Sequence, residues 1–479
     1  MRRTKIIATL GPAIDDPEVL AELLEAGVDV VRLNFSHGSG DDFGRQVRMV
    51  RDVSTKLGLH VGVLGDLQGP KIRIDKFRDG TITLTEGQAF ALDSSLDPEA
   101  GDAAVVGVAY DALADDLAPG DVMLLDDGQI VLNVERVAGT RIECTVAIGG
   151  ELGSKKGINR QGGGLSAPAL TEKDIVDLRL AAELEVDWLA VSFVREAADI
   201  DRARQLLRAA GGQGHIVAKI ERTEAIDNLE SIIDASDAVM VARGDLGVEM
   251  GYAGLAGLQK SIIRKTRLRH KVCITATQMM ESMITSQMPT RAEVSDVANA
   301  VMDGTDAVML SAETAIGKYP VKAVAAMAEV CLGAEKYHQS TARMDRHRMA
   351  DQFANVDEAI AMAVMYTANH LDVRAIIAMT ETGSTPQWMS RIRSDIPIFA
   401  CTPNEATLRR VALYRGVTPV AYENANAHDR TEPVFRELCQ LLTEHGHVEP
   451  GELVIFTKGT AKGVTGGTNE MRILSVTGE

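Results

Sequence analysis

Residues 215–221 read His215-Ile216-Val217-Ala218-Lys219-Ile220-Glu221, and the reading of this stretch decides the fold. A short, nearly unbroken apolar run is the mark of a strand buried on both faces, as in a parallel sheet covered by helices. The run ends on Lys219 and Glu221, which alternate and therefore share one face of the strand. Seven other runs follow the same plan: Lys5–Leu10, Asp29–Asn34, His60–Gly65, Trp188–Val194, Ala238–Ala242, Val272–Thr277 and Ala307–Leu310. Most are separated by stretches with helical spacing, such as Asp16–Ala26 and Thr171–Leu184. Thr171-Glu172-Lys173-Asp174 adds a capping-box start. Eight strand–helix units imply a closed parallel (β/α)8 barrel with its helices outside.

One interval breaks the rhythm. More than a hundred residues separate the third run from the fourth, far too many for a βα loop. Within them Thr81–Thr85 alternates, Val122–Leu125 runs short, and Asp127-Gly128 marks a turn. This reads as an inserted small β-barrel domain over 71–167, hinged at Gly69-Pro70 and Ser166–Pro168. The catalytic barrel then occupies 1–70 and 168–345. A second βα series fills 346–479: a helix Val356–Leu371, then strands Val373–Met379, Pro397–Cys401, Val417–Ala421, Leu453–Thr457 and Arg472–Val476. It reads as an open, doubly wound α/β domain.

Composition sets the limits. With 479 residues the chain exceeds a single core. A net charge of −18 argues against nucleic acid and anionic lipid as partners. Any phosphate site must then be a local concentration of Lys, Arg and backbone N–H groups. No apolar run approaches the length of a membrane span. Met1-Arg2-Arg3-Thr4-Lys5 leads directly into a strand, without the apolar core of a signal peptide. The five cysteines, Cys144, Cys273, Cys331, Cys401 and Cys439, form no Cys-x-x-Cys pair. Buried free thiols in a reducing cytoplasm are expected.

In a barrel of this kind the working groups stand at the carboxyl ends of the strands. Arg32, Asn34 and Ser36 alternate at the second such end. Asp66, Lys71 and Arg73 follow the third, Lys219 and Glu221 end the fifth, and Arg243-Gly244-Asp245 the sixth. Thr277 ends the seventh and Ser311 the eighth. The set offers cations for an anionic substrate, and Glu221 and Asp245 as hard oxygen ligands for Mg2+. With no Cys or Ser-His-Asp nucleophile in view, phosphoryl transfer is the chemistry that fits. The plainer readings are a structural Lys219–Glu221 ion pair, Arg32 capping the strand rim, and Asp245 as a helix cap.

Six segments now carry a resemblance: Lys5–Pro12, Arg32–Gly38, Ala218–Glu221, Ala242–Gly247, Ala276–Met283 and Leu310–Tyr319. In this order, and across nearly the whole chain, they resemble pyruvate kinases, most of all the bacterial type activated by AMP or sugar monophosphates. The resemblance implies a cytoplasmic glycolytic phosphotransferase, making pyruvate and ATP from phosphoenolpyruvate and ADP with Mg2+ or Mn2+, and a homotetramer. Lys219 would contact the transferring phosphoryl group and stabilise the enolate, and Glu221 and Asp245 would hold the metal. Arg32 and Arg73 would clamp phosphate. Thr277 would stand near the carbon that is protonated, and Gly244 and Ser311 would border the substrate. Pro12, Asn34, His37 and Lys173 would face the nucleotide, and the insertion would close as a lid.

Two details depart from the family or extend it. Many members carry Thr and Glu where this chain has Leu67 and Lys71, and bind K+ near groups matching Asn34, Ser36 and Asp66. An ammonium at Lys71 matches the sign of that ion, so activity without K+ is expected. In the C-terminal domain, Thr380, Thr382, Gly383, Ser384 and Thr385 form a phosphate-loop pattern at a helix start. With Lys458 and Lys462, they match the family's effector loop, although Glu381 interrupts it and Ser384 stands where Arg is frequent. Two rival functions remain at this point: a Mg2+-dependent aldolase or lyase acting on pyruvate enolate, and a non-catalytic metabolite sensor.

Overall fold

The computed structural model describes residues 1–341, 353, 355–392, 394–423, 431–459 and 466–476. The chain divides into two compact units. One comprises Met1–Gly65, Leu184–Trp188 and Ile263–Glu479, the other Asp66–Glu183 and Leu189–Ile262.

The eight apolar runs form a closed parallel barrel. Its strands are β1 (Lys5–Thr9), β2 (Val30–Asn34), β3 (Gly62–Asp66), β4 (Trp188–Val191), β5 (His215–Ile220), β6 (Ala238–Ala242), β7 (Val272–Ala276) and β8 (Ala307–Leu310). Each strand neighbours the next in sequence, and β8 closes on β1. The strands are almost wholly buried because each is covered on both faces, which is why their sequences run apolar instead of alternating. β4 is shorter than its apolar run suggested. Phe193, at φ 54°, takes the backbone out of the extended region, and a run of apolar letters carries no trace of that turn.

Local signals start and stop the helices. Asp16 accepts the Glu18 N–H ahead of Pro17–Glu25. Ser39 and Asp42 form a capping box on Gly40–Leu57, which Gly58 ends in the left-handed region at φ 67°. Thr171 and Asp174 close the expected box on Glu172–Glu183, each accepting the other's N–H. Asp174 also accepts the Gly69 N–H at 3.0 Å, so this cap anchors the loop after β3.

From Thr81 to Arg160 the chain is β, in two sheets, apart from a 3-10 turn at Asp111–Ala114. Six strands lie in the order Ile158–Arg160, Val122–Leu125, Ile130–Ala138, Arg141–Ile148, Ala89–Asp93, Val105–Gly107. A separate pair joins Gly150–Gly153 to Thr81–Leu84. The Asp127-Gly128 turn has both residues at positive φ. Leu92, Val106, Met123, Leu132 and Val146 are among the residues of this segment's own core.

The C-terminal sheet contains β9 (Ala375–Met379), β10 (Ile398–Thr402), β11 (Val417–Ala421), β12 (Leu453–Gly459) and β13 (Thr468–Ser475), in the order β11-β10-β9-β12-β13. The first four are parallel; β13 runs antiparallel to β12. The helix expected to reach Leu371 ends at Ala368.

Candidate functional site

Lys219 is the focus of the second unit. Its Nζ lies 2.8 Å from Glu221 Oε1 and 3.3 Å from Asp66 Oδ1, and donates to Ser192 Oγ at 2.7 Å. Asp66 ends β3, Ser192 follows β4 and Glu221 follows β5, so three adjacent strand ends supply one ammonium with its partners. Ser192 Oγ donates onward to the Leu67 carbonyl at 2.8 Å. Glu221 Oε2 accepts the Phe193 N–H at 2.8 Å. A left-handed φ at a bulky residue is strained and persists only where its surroundings hold it. Here it turns the Phe193 N–H onto a buried carboxylate.

Burial pushes the Glu221 carboxyl above its ordinary range. Lys219 opposes the shift and Asp245 adds to it. A carboxylate whose charge is disfavoured by burial and by a second carboxylate suits a divalent cation, whose presence reverses that cost. Among the described residues no group of three His, Cys, Asp or Glu side chains is placed for a metal ion. A pair of carboxylates, with substrate and water completing the shell, is what Mg2+ commonly takes. The donor set therefore fits the ion.

Asp245 lies in the first turn of the helix Arg243–Met250, and Lys71 Nζ reaches its Oδ1 at 3.1 Å. Lys71 is thus on the second carboxylate, whereas Asp66 is on Lys219. Arg73 donates to the Lys155 carbonyl at 3.0 Å. Lys173 pairs with Asp177, one helical turn away, at 2.5 Å.

The first unit holds the other candidates. Arg32 donates to Thr9 Oγ1 at 3.1 Å, and Thr9 Oγ1 donates in turn to the Leu310 carbonyl at 2.8 Å. Asn34 Oδ1 accepts the Ser36 N–H at 3.2 Å, and the Asn34 carbonyl accepts the His37 N–H at 3.1 Å. Pro12 opens a short 3-10 turn. A Cβ on Gly11 would lie 2.5 Å from the Ala315 carbonyl oxygen, so only glycine fits before it. Thr277 has φ 68° and Gln278 φ 52°; for a β-branched residue that is an outlier of the kind concentrated at active sites. Buried Glu313 accepts the Met280 N–H at 3.1 Å and the Ser311 N–H at 2.7 Å, tying together the loops after β7 and β8.

Thr9, Ser192, Phe193 and Glu313 were not picked out from the sequence. Ser192 lies inside the apolar run Trp188–Val194, so no end of a run marks it as one marks Thr277. The Phe193 and Glu313 contacts run through main-chain N–H groups, which side-chain identity does not reveal.

In the C-terminal domain, Gly383 takes φ 84° and its N–H donates to Thr380 Oγ1 at 2.9 Å. Thr407 and Arg410 donate to the carbonyls of Glu381 and Thr382. Ser384 opens the helix Ser384–Ser390. Thr385 is buried and shares a 2.7 Å hydrogen bond with Thr468. Lys458 is buried, with Glu470 at 3.9 Å. Lys462 lies outside the described residues.

Comparison with known proteins agrees with this arrangement. Residues 1–324 match the family model for the pyruvate kinase barrel domain, and 358–474 that for the pyruvate kinase alpha/beta domain. The chain is 53% identical to pyruvate kinase II of Salmonella typhimurium over 99% of both chains. It is 51% identical to a pyruvate kinase of Haemophilus influenzae, again over 99% of both. A crystal structure of a pyruvate kinase from Cryptosporidium parvum superposes with a TM-score of 0.91 at 33% identity, covering 99% of this chain and 96% of that one. The chain belongs to the pyruvate kinase family of phosphotransferases.

Proposed function

We propose that the chain moves the phosphoryl group of phosphoenolpyruvate to ADP around Lys219, and that it works without K+ under the control of a phosphorylated effector. The observation that carries this is the single ammonium set among Glu221, Asp66 and Ser192. The reaction breaks the bond between phosphorus and the enol oxygen, whose electron pair stays on the enolate, and forms a new bond from a β-phosphate oxygen of ADP. A positive charge fixed beside the phosphoryl and enolate oxygens stabilises what develops between them. Mg2+ or Mn2+ on Glu221 and Asp245 would supply further neutralisation of the phosphoryl oxygens.

Arg32 and Arg73 bind the phosphate, Gly244 and Ser311 border the substrate, and Thr277 directs a proton to the enolate carbon, through water. Pro12, Asn34, His37 and Lys173 face the nucleotide. The all-β insertion acts as a lid that keeps water from intercepting the phosphoryl group. The proposed functional domains are a catalytic barrel of 1–70 with 168–345, the lid of 71–167, and the effector domain of 346–479. Support for Lys71 in place of K+ is its salt bridge to Asp245. Many relatives carry an acid at this position and bind the ion near groups matching Asn34, Ser36 and Asp66, and a lysine here matches the ion's sign. The effector, a sugar phosphate or AMP, binds the Thr380–Thr385 loop with Lys458 and Lys462. The protein is a cytoplasmic homotetramer; buried free thiols accord with a reducing compartment.

The test is a coupled assay for pyruvate and ATP, with Mg2+ in tetramethylammonium buffer and a panel of sugar phosphates and AMP. Turnover independent of K+ is expected, together with a lower half-saturation for phosphoenolpyruvate when one effector is present. Strict need for K+ would remove the role of Lys71. An indifferent panel would remove the sensor, and pyruvate without ATP would remove the transfer itself.

A further inference from the structure

The chain returns from the all-β insertion through Ile158–Arg160 and then three consecutive glycines, Gly162, Gly163 and Gly164, at φ 82°, 77° and 92°. A run of three left-handed residues is closed to almost any sequence but this one. Groups from the barrel side of the same unit fix it. The Gly162 N–H donates to the Glu249 carbonyl at 3.1 Å, the Gly164 N–H donates to Glu224 Oε1 at 2.6 Å, and Arg222 donates to the Leu165 carbonyl. A Cβ on Gly163 would meet Thr223 Cβ at 3.0 Å.

Glu249 stands at the centre of this seat. It is buried, in the last turn of the helix whose first turn carries Asp245. Its Oε2 accepts the Thr223 N–H at 2.9 Å, and the Asn159 side chain also hydrogen-bonds the carboxylate. Asn159 lies in the returning strand. That strand runs beside the outgoing connection: the Ile158 N–H donates to the Ile72 carbonyl at 3.0 Å, and Gly157 bridges Arg73. One helix thus holds both passages of the insertion, the outgoing one through Asp245 and Lys71 and the returning one through Glu249 and Asn159. Lys71, Asn159, Arg222, Asp245 and Glu249 border one small cavity of about 20 Å³.

We propose that Glu249 is a positioning residue for the reaction: it seats the returning hinge and, through the paired strand, sets the placement of Lys71 and Arg73. This rests on the proposed roles of those two residues. The charged groups facing Glu249 are Arg222 and Glu224 from the segment after β5, Lys71 from the outgoing passage and Asp245 on its own helix. Thr223 and Asn159 add neutral donors. Burial pushes the carboxyl up to about 7; the Thr223 N–H and Arg222 oppose this and Glu224 adds to it. A buried acid whose folded value lies above its unfolded one favours the seated form at low pH. That preference is lost as pH rises through about 7.

The experiment compares Glu249→Gln, Glu249→Ala and Asn159→Ala in the full chain by kcat and KM across pH, and by amide hydrogen exchange. Glu249→Gln should keep the seat and flatten the change in kcat near neutrality. Glu249→Ala and Asn159→Ala should each lower kcat by about 10- to 100-fold, up to the loss that a misplacement of about 1 Å can cause. Both should speed exchange at 157–165 while leaving β1 and β8 at wild-type rates. If Glu249→Ala does not fold, Asn159→Ala breaks the same contact from the other side. Wild-type kcat and exchange in both alanine variants, or an unaltered pH profile in Glu249→Gln, would overturn the proposal. Lys219→Met separates the two readings: it should lower kcat by about 10²–10³-fold with exchange at 157–165 unchanged. Wild-type kcat in Lys219→Met would discard the site, whereas faster exchange in Glu249→Ala alone would still support the seat.

Discussion

Lys219 has a place in the charge balance of its unit and, in the function proposed, in the chemistry. Two buried carboxylates and a hydroxyl surround its ammonium. An ion pair this enclosed is weak evidence for stability, because desolvation cancels much of the attraction. What it secures is a cation at a fixed point. Lys219→Met should therefore lower kcat by about 10²–10³-fold, the range seen when a group stabilising developing charge is removed. The fold should survive, since Glu221, already raised by burial, takes up a proton where its partner is lost. Steady-state kinetics beside a thermal melt checks both halves; a variant that unfolds would show that the lysine is structural. Lys219, Glu221 and Asp245 were legible in the sequence because charged letters interrupt apolar runs. Ser192 was not, because the apolar run continues past it to Val194. Lys71 was legible as a cation but not as the partner of Asp245, which lies 174 residues further on.

At the scale of elements, the barrel was readable because every strand is covered on both sides, and continuous burial writes itself as continuous Val, Ile, Leu and Ala. The insertion was readable as β but not in its pairing. Its parallel pair, Ala89–Asp93 with Val105–Gly107, has no turn dipeptide to announce it. A further element-scale link was not foreseen. Arg391, just past the helix Ser384–Ser390, makes a two-pronged contact with Asp306 at 2.5 and 2.7 Å, and also donates to the Lys271 carbonyl. Asp306 accepts the Cys273 N–H as well. Both side chains are almost fully buried, so removing one leaves the other uncompensated. Asp306→Ala should cost about 3–5 kcal/mol, read as a shift in the urea midpoint at constant slope. A shift under about 1 kcal/mol would mean that Arg391 reaches solvent or another anion, as exposed pairs do.

For the whole molecule, the net charge is −18, and Lys219, Lys71 and Arg222 are each paired with carboxylates: Glu221 and Asp66, Asp245, and Glu224. The five cysteines test how tightly the rest is closed. All five are free and buried, and they are distributed along the chain from the insertion to the C-terminal domain, so each samples a different region. Burial pushes Cys144, Cys331 and Cys439 up to about 12, with Glu135 adding for the first and Glu432 for the last. Cys273 and Cys401 move the same way for the same reason. The thiolate is the reactive form, so neutral pH leaves almost none of it, and access requires opening of the surrounding core. Native protein should therefore give almost no colour with a disulfide reagent, and all five thiols should react once denaturant crosses the unfolding midpoint. Because the insertion has its own core, Cys144 should be the first to react if that segment opens separately. Peptide mapping of the labelled thiols at sub-denaturing urea distinguishes the two cases. Rapid labelling of Cys273 or Cys401 in the native state would contradict the closed barrel and sheet in which they are buried.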